Sequence, residues 1–243
     1  MALTEHLEEL RNRIIRILLI VIVSFFVCYG IGDDIIQILL NPLREALGSD
    51  GKIVYIGLLD KVLAQFQLAF WSAIIVSSPL WFYQLWLFIK PGLYEKEVKV
   101  IRPFILLGFL LFCSGVTFGY FLVFPFTFKT ILGFGVTNIE ATLSMRDYIV
   151  LASKVLVFLG ILFQLPNVLL ILGFMGIVNK DLLFKSRKYV IAAFSVVAAV
   201  LTPPDVITMM ALWIPLVVLY EIGIWLVVLI VTPYQKRQQL PTV

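Results

Sequence analysis

Histidine, cysteine and charge are all scarce in this sequence. His6 is the single histidine, so neither an HExxH zinc site nor a second imidazole to serve as a base can be assembled. Ser114-Gly115 lacks the GxSG setting of an intramembrane serine protease, and no GxxxxGK[ST] segment offers a phosphate-binding loop. The two cysteines, Cys28 and Cys113, lie inside apolar runs, where a free thiol acts as a small packing residue. Cys28 falls near one end of its run and Cys113 in the middle of another, so no disulfide is expected. Catalytic residues, a metal site and a cofactor are not expected either. Charged residues make up 14% of the chain against 61% apolar, with a mean hydropathy of +1.04, more apolar surface than a soluble domain can hide. The net charge of +4 sits in short blocks between apolar runs, which fits loops at a membrane surface rather than a nucleic-acid-binding face.

Long apolar runs dominate what is present. A hydrocarbon core of about 30 Å takes about 20 helical residues. Six runs stand out, at roughly 14–31, 62–89, 103–124, 148–173, 189–201 and 207–231. They predict an all-α fold, a polytopic six-span membrane domain over 1–243, with a cytoplasmic tail at 233–243. Pro79, Pro166 and Pro215 fall inside the second, fourth and sixth runs and predict a kink or local break in each. The fifth run is short and ends at Thr202-Pro203-Pro204, so it spans only where the bilayer thins or its ends are buried in protein. With the proline-broken sixth, the last two helices are expected to be short. The first run lacks a small-residue cleavage site, so no cleavable leader is expected. No internal repeat is visible, which argues against an inverted-repeat transporter.

Lysine and arginine set the orientation. Thirteen of them fall at the N-terminus, in the second and fourth loops and at the C-terminus; six, counting Lys154 just inside the fourth span, belong to the other side. The asymmetry places both termini in the cytoplasm and makes the first and third loops external. Loops of their length, about 30 and 23 residues, carry short helices or a cap. At the N-terminus, Leu3, Leu7, Leu10 and Ile14 recur at helical spacing, with Glu5, Glu8, Glu9 and Arg13 mainly elsewhere. This predicts an amphipathic helix over 3–13 at the interface, with Thr4 as its N-cap. Its charges also fit a solvated helix end that only sets topology.

Two polar residues lie deep in apolar runs. Glu221 is about ten residues from the cytoplasmic end of the sixth run, and Gln164 about fifteen residues into the fourth. A charged group at a bilayer centre costs at least ~2.5 kcal/mol, so Glu221 must be neutral, paired or facing water. One reading is an interhelical hydrogen bond that holds the helices together; the other is a role in substrate passage. Both residues are expected to face one concave, partly hydrated side of the bundle. Asp205, in the very short external loop after Pro203-Pro204, suits an N-cap for the sixth helix.

Four segments carry a resemblance: HLEELRNR at 6–13, SSPLWFYQLWLFIKPGLYEKE at 77–97, TPPDV at 202–206 and LYEIG at 219–223. In that order, over nearly the whole chain, they resemble the TatC family, the signal-peptide-recognising subunits of twin-arginine protein translocation. The resemblance implies a concave receptor in the cytoplasmic (inner) membrane of a bacterium or archaeon, without enzymatic activity. It would bind the twin-arginine signal peptides of folded precursors, recruit TatA- and TatB-like single-span partners, oligomerise and draw on the proton-motive force. It implies signal contact at Glu9, Phe88 and Glu97, with Arg11 ordering Glu9, and partner contact at the Asp205 tip. The chemistry agrees, because arginine's planar fork suits bidentate pairing with carboxylates and lysine replaces it poorly. The sequence departs from the family pattern at Gln164, where Glu is common, and at Met209, where Gln is common. The alternative function is a proton-coupled small-solute carrier using Glu221.

Overall fold

In a computed structural model of the chain, residues 3–47, 52–90, 95–133, 142–201 and 206–233 are described, with side chains for all of these except 3–6, 52, 95–102, 131–133 and 142. Almost all of what is described is helical. No glycine or proline interrupts residues 3–29, and they form a single helix, α1 (Leu3–Gly30). The amphipathic stretch over 3–13 and the first apolar run are thus one continuous helix, with no break between them. The chain continues through α2 (Gly32–Leu47), β1 (Lys52–Val54), α3 (Asp60–Val76), α4 (Ser78–Ile89), α5 (Glu95–Phe118) and α6 (Phe124–Gly133). It ends with β2 (Thr142–Ser144), α7 (Met145–Leu162), α8 (Leu165–Phe174), α9 (Lys180–Leu201) and α10 (Val206–Leu226). Wider π-turns at Gly119–Val123 and Val227–Val231 join α5 to α6 and extend α10.

The prolines act differently from one another. Pro79 and Pro166 each sit in the first turn of a helix, where the missing N–H has no partner to lose. At Pro79 the axis bends by 56° between α3 and α4, and the Ser77 hydroxyl donates back to the Ala73 carbonyl in the last turn of α3 at 2.6 Å. At Pro166 a turn at 163–164 separates α7 from α8. Pro215, by contrast, lies inside α10 without interrupting it. The sixth helical stretch therefore runs Val206–Val231, 26 residues, and is not short as expected. Among the described residues four stretches are long and apolar enough to cross a membrane, or five if the bent α3–α4 pair is one span. The fifth expected span is α9, which starts at Lys180 instead of 189 because Asn179 caps it, accepting from the Leu182 N–H at 2.8 Å. Its charged first third keeps it outside that group.

The chain packs as two compact units. The first comprises Met1–Gly92 with Val116–Leu159. Here α1 lies against α3 and α4, and the contacts run antiparallel: Gln65 reaches the Tyr29 carbonyl at 3.5 Å, while Arg13 reaches Gln84 at 3.1 Å. Cys28 packs against Ala69 and Ala73 in a small buried cluster. The amphipathic α2 buries Ile36, Leu39, Leu40 and Leu43 and packs on α3 and α6, so the segment between the first two apolar runs does carry a helix. Tyr120 and Tyr148 donate their hydroxyls to the Ile38 and Leu39 carbonyls of α2. β1 and β2 pair in parallel, Lys52 opposite Thr142, a contact across 90 residues of sequence.

The second unit comprises Leu93–Gly115 with Gly160–Val243. Within it α10 packs on α8 and on α9. Leu170, Leu212, Leu216 and Ile224 are fully buried. Trp213 donates to the Ile191 carbonyl at 3.1 Å and Tyr220 to the Leu183 carbonyl at 3.0 Å, which fixes α9 and α10 antiparallel. At Gly223 α10 comes close to α8: a Cβ there would stand 2.7 Å from Leu169 Cδ1 and 3.2 Å from the Cα of Pro166. Leucine can turn away; the proline backbone cannot. Gly223→Ala is expected to cost about 1–3 kcal/mol by overpacking and to lower the melting temperature in detergent. Gly30→Ala, where nothing lies within 4 Å, serves as the neutral control. Equal melting temperatures for the two variants would contradict the close packing of α10 on α8.

Candidate functional site

Glu9 and Arg13 are four residues apart on α1, so they share one face, with the acid on the N-terminal side where this pairing is favoured. Arg13 Nη2 donates to Glu9 Oε1 at 3.2 Å, and the side chains are only 17% and 23% exposed. The other arm of the guanidinium, Nη1, donates to Gln84 Oε1 on α4 at 3.1 Å. A planar fork is what allows one residue to serve both acceptors. Glu8, Glu9, Asn12, Arg13 and Arg16 line a pocket of about 270 Å3. Arg11 does not order Glu9. It pairs with Glu8 at 3.3 Å, with both side chains about two-thirds exposed, and also reaches Asn12. Helical geometry explains the difference, because residues two apart point to opposite sides.

The antiparallel packing of α1 and α4 sets Phe88 in place. Glu9 is one turn before Arg13 along α1, and Phe88 is one turn after Gln84 along α4. Since Arg13 meets Gln84, the two steps lead to the same level, and half-buried Phe88 lies at the height of Glu9. Glu97 belongs to the first turn of α5, and its side chain lies outside the described residues, as does Asp205 entirely.

The second polar cluster gathers around LYEIG. Glu221 Oε2 accepts from Arg187 Nη2 at 2.7 Å, with side-chain exposures of 30% and 38%. Glu221 is thus paired, and its partner comes from the basic start of α9. Arg187 also lies over the Phe184 ring, 5.0 Å from its centroid, while its Nε is buried without a hydrogen-bond partner. The neighbouring motif residues hold the same region: Tyr220 bonds α9 and Gly223 meets α8. Gln164 uses a different neighbour. Its Nε2 donates to the Gly108 carbonyl of α5 at 2.7 Å, and its Oε1 accepts from Asn167 at 3.5 Å. Both side chains are half-buried, and neither reaches the other's partner.

Sequence reasoning missed the arginines as partners. Arg13 and Arg187 register there only as topology-setting charge, and Gln84 not at all. The available signal for Arg13 was its four-residue spacing from Glu9; Arg187 and Gln84 meet their partners across 34 and 71 residues. A third carboxylate was passed over. Asp60, 12% exposed at the start of α3, accepts from the Gly57 N–H at 2.6 Å and from Arg146 Nη1 at 3.0 Å.

Nearly continuous apolar helices whose shielded carboxylates are ion-paired define a polytopic helical membrane protein. Residues 5–215 match the family profile described as Sec-independent protein translocase protein (TatC). The chain is 41% identical over 221 residues to the TatC of Desulforapulum autotrophicum, covering 91% of this chain and 82% of that one. It is 42% identical over 223 residues to the TatC of Magnetococcus marinus, covering 92% and 82%. A crystal structure titled twin arginine translocase receptor TatC superposes with a TM-score of 0.81 at 32% identity, covering 92% of this chain and 98% of that one. The chain belongs to the TatC family. It is a non-enzymatic component of a membrane protein-transport complex with other Tat components.

The Arg187–Glu221 pair generates a direct test. Glu221→Leu alone strips Arg187 of its acceptor and is expected to lower the melting temperature, as is Arg187→Leu alone. The double Leu variant should be no less stable than either single one, with a coupling of about 1 kcal/mol, the upper range for a partly exposed pair. Strictly additive losses across the cycle would contradict the pairing.

Proposed function

We propose that this chain is the receptor that reads twin-arginine signal peptides at the cytoplasmic face of the cytoplasmic (inner) membrane. The observation that supports it most is that Glu9 already holds a guanidinium, Arg13, in a half-buried setting. A carboxylate kept in this state suits an arginine of an incoming signal. Charge-assisted hydrogen bonds are worth ~1.5–3 kcal/mol when shielded, less when exposed. Phe88, at the level of Glu9, supplies apolar shielding. Glu97, in the PGLYEKE segment after α4, is a further carboxylate that the family resemblance assigns to signal contact, and Arg11 keeps the rim around Glu9 basic.

The whole chain acts as one six-span membrane domain with both termini in the cytoplasm, α9 providing the fifth span and α10 the sixth. TatA- and TatB-like single-span proteins and further copies of the chain assemble around it, with Asp205 contributing at the external tip. Gln164 and Glu221 contribute to partner contact or passage within the membrane. The proton-motive force drives export by the assembled complex. The relative titled as a twin arginine translocase receptor, matched over most of both chains, supports this reading. A proton carrier using Glu221 finds less support, because that carboxylate is engaged by Arg187 at 2.7 Å in a contact that joins α9 to α10.

Glu97→Lys is expected to abolish binding of a twin-arginine signal peptide while the protein still inserts, because it replaces an arginine acceptor with a repelling charge. Glu95→Lys should do far less. Equal, mild effects in a peptide-binding assay would make the segment a solvated charge cluster. Cysteine labelling of intact cells should modify a cysteine at Thr137 and spare cysteines at Lys180 and Lys236; external labelling at Lys180 would overturn the orientation.

A further inference from the structure

The carboxylate assigned above to the signal's arginine is not vacant: Arg13 occupies it. We infer that Arg13 is a built-in competitor for the signal's guanidinium and that Gln84 is the acceptor that retains Arg13 when it gives way. This rests on the receptor reading of Glu9.

The geometry carries the inference. Arg13 divides its fork between two acceptors on two helices, Glu9 Oε1 at 3.2 Å and Gln84 Oε1 at 3.1 Å. Among the described residues Arg13 is the cation on Glu9; the next arginine, Arg11, is committed to Glu8. An incoming arginine presents the same planar group to the same oxygen, so the exchange is nearly symmetric: one guanidinium–carboxylate pair breaks as another forms. What the exchange leaves over is Arg13 itself. At 17% exposure, a guanidinium released with no acceptor would be a costly half-buried charge. Gln84 removes much of that cost because its bond to Arg13 is worth more once Glu9 is taken, when it is the acceptor left to the guanidinium, than while Glu9 shares the fork. The amide is neutral, so it keeps Arg13 near the site without outbidding Glu9 for it.

Such an arrangement sets a threshold. Displacing Arg13 weakens every cationic ligand by the same factor, so a lone lysine or arginine of an ordinary cytosolic segment falls below useful binding. A ligand with a second arginine for a second carboxylate stays above it. The same competition speeds release, since Arg13 waits one turn away to retake Glu9. Arg13 and Gln84 are therefore positioning residues that govern affinity through Glu9.

The test uses the full chain in detergent and a synthetic peptide carrying adjacent arginines, read by fluorescence anisotropy, with thermal melting recorded alongside. Arg13→Met should tighten binding by about two- to fivefold, the worth of a partly exposed pair. Arg13→Lys keeps the charge but loses the fork, and should tighten binding less. Gln84→Leu changes no charge yet removes the retaining acceptor, and should weaken binding by a similar factor. All three should lower the melting temperature, so the opposite signs in affinity separate competition from mere support. Should Arg13→Met fail to fold, the opposite shifts of Arg13→Lys and Gln84→Leu still decide. Affinities that move in one direction together, or do not move, would make Arg13 a structural strut and overturn the inference while leaving the receptor reading intact. A wild-type chain that ignores the peptide would overturn both.

Discussion

A carboxylate among membrane helices has to be met by a cation or by water, and in this protein arginine meets it at every shielded position described. Arg13 with Glu9, Arg146 with Asp60 and Arg187 with Glu221 lie at 3.2, 3.0 and 2.7 Å. In each case the guanidinium also ties structure together. Arg13 links α1 to α4, Arg146 links the start of α7 to the start of α3, and Arg187 links α9 to α10. Apolar burial sets the helices side by side, but it is non-directional and leaves their relative slide poorly defined. The ion pairs, with Tyr220 on Leu183 and Gln65 on Tyr29, fix that slide. Removing one partner of such a pair is worse than removing both, because the remaining charge keeps its burial without its neutralisation.

Slide matters because it decides what stands at the mouth of the site. With Arg13 opposite Gln84, Glu9 comes level with Phe88. A slip of one turn, about 5.4 Å, would set Phe88 beside Arg13 and leave Glu9 beyond the last turn of α4. The 56° bend at Ser77–Pro79 adds to this control by redirecting α4 relative to α3. A proline in a first helical turn makes the bend without leaving an unpaired donor, and Ser77 closes the end of α3 with both its backbone N–H and its hydroxyl on the Ala73 carbonyl.

Much of the fold was legible because membrane spans are encoded by length and hydropathy, both local quantities. The breaks at Pro79 and Pro166 were legible too. Pro215 differed because α10 is packed on both α8 and α9, and tertiary contact carried the helix through it. The start of α9 was placed late because Lys180–Lys188 reads as a loop by charge, whereas Asn179 caps a helix whose charged first turns lie along α10. The β1–β2 pair escaped because three-residue strands 90 positions apart have no local periodicity. Of the candidate site, Glu9 and Phe88 were legible through the family resemblance, with the chemistry of arginine binding in agreement for Glu9. Their arrangement depends on Arg13 and Gln84, whose roles arise from contacts between helices. Arg11 was assigned to Glu9 against the helical spacing that separates them.

The proposed receptor function reduces to one claim: the level where Glu9 and Phe88 stand together is where a signal's arginine pair arrives. The most direct test is a photoactivatable residue at Phe88 in membranes, offered a precursor with adjacent arginines and the same precursor with adjacent lysines, with a probe at the exposed Leu110 as control. The account predicts an adduct at Phe88 with the arginine precursor, its loss with the lysine precursor, and none at Leu110. Equal adducts from both precursors, or an adduct at Leu110 but not at Phe88, would contradict it.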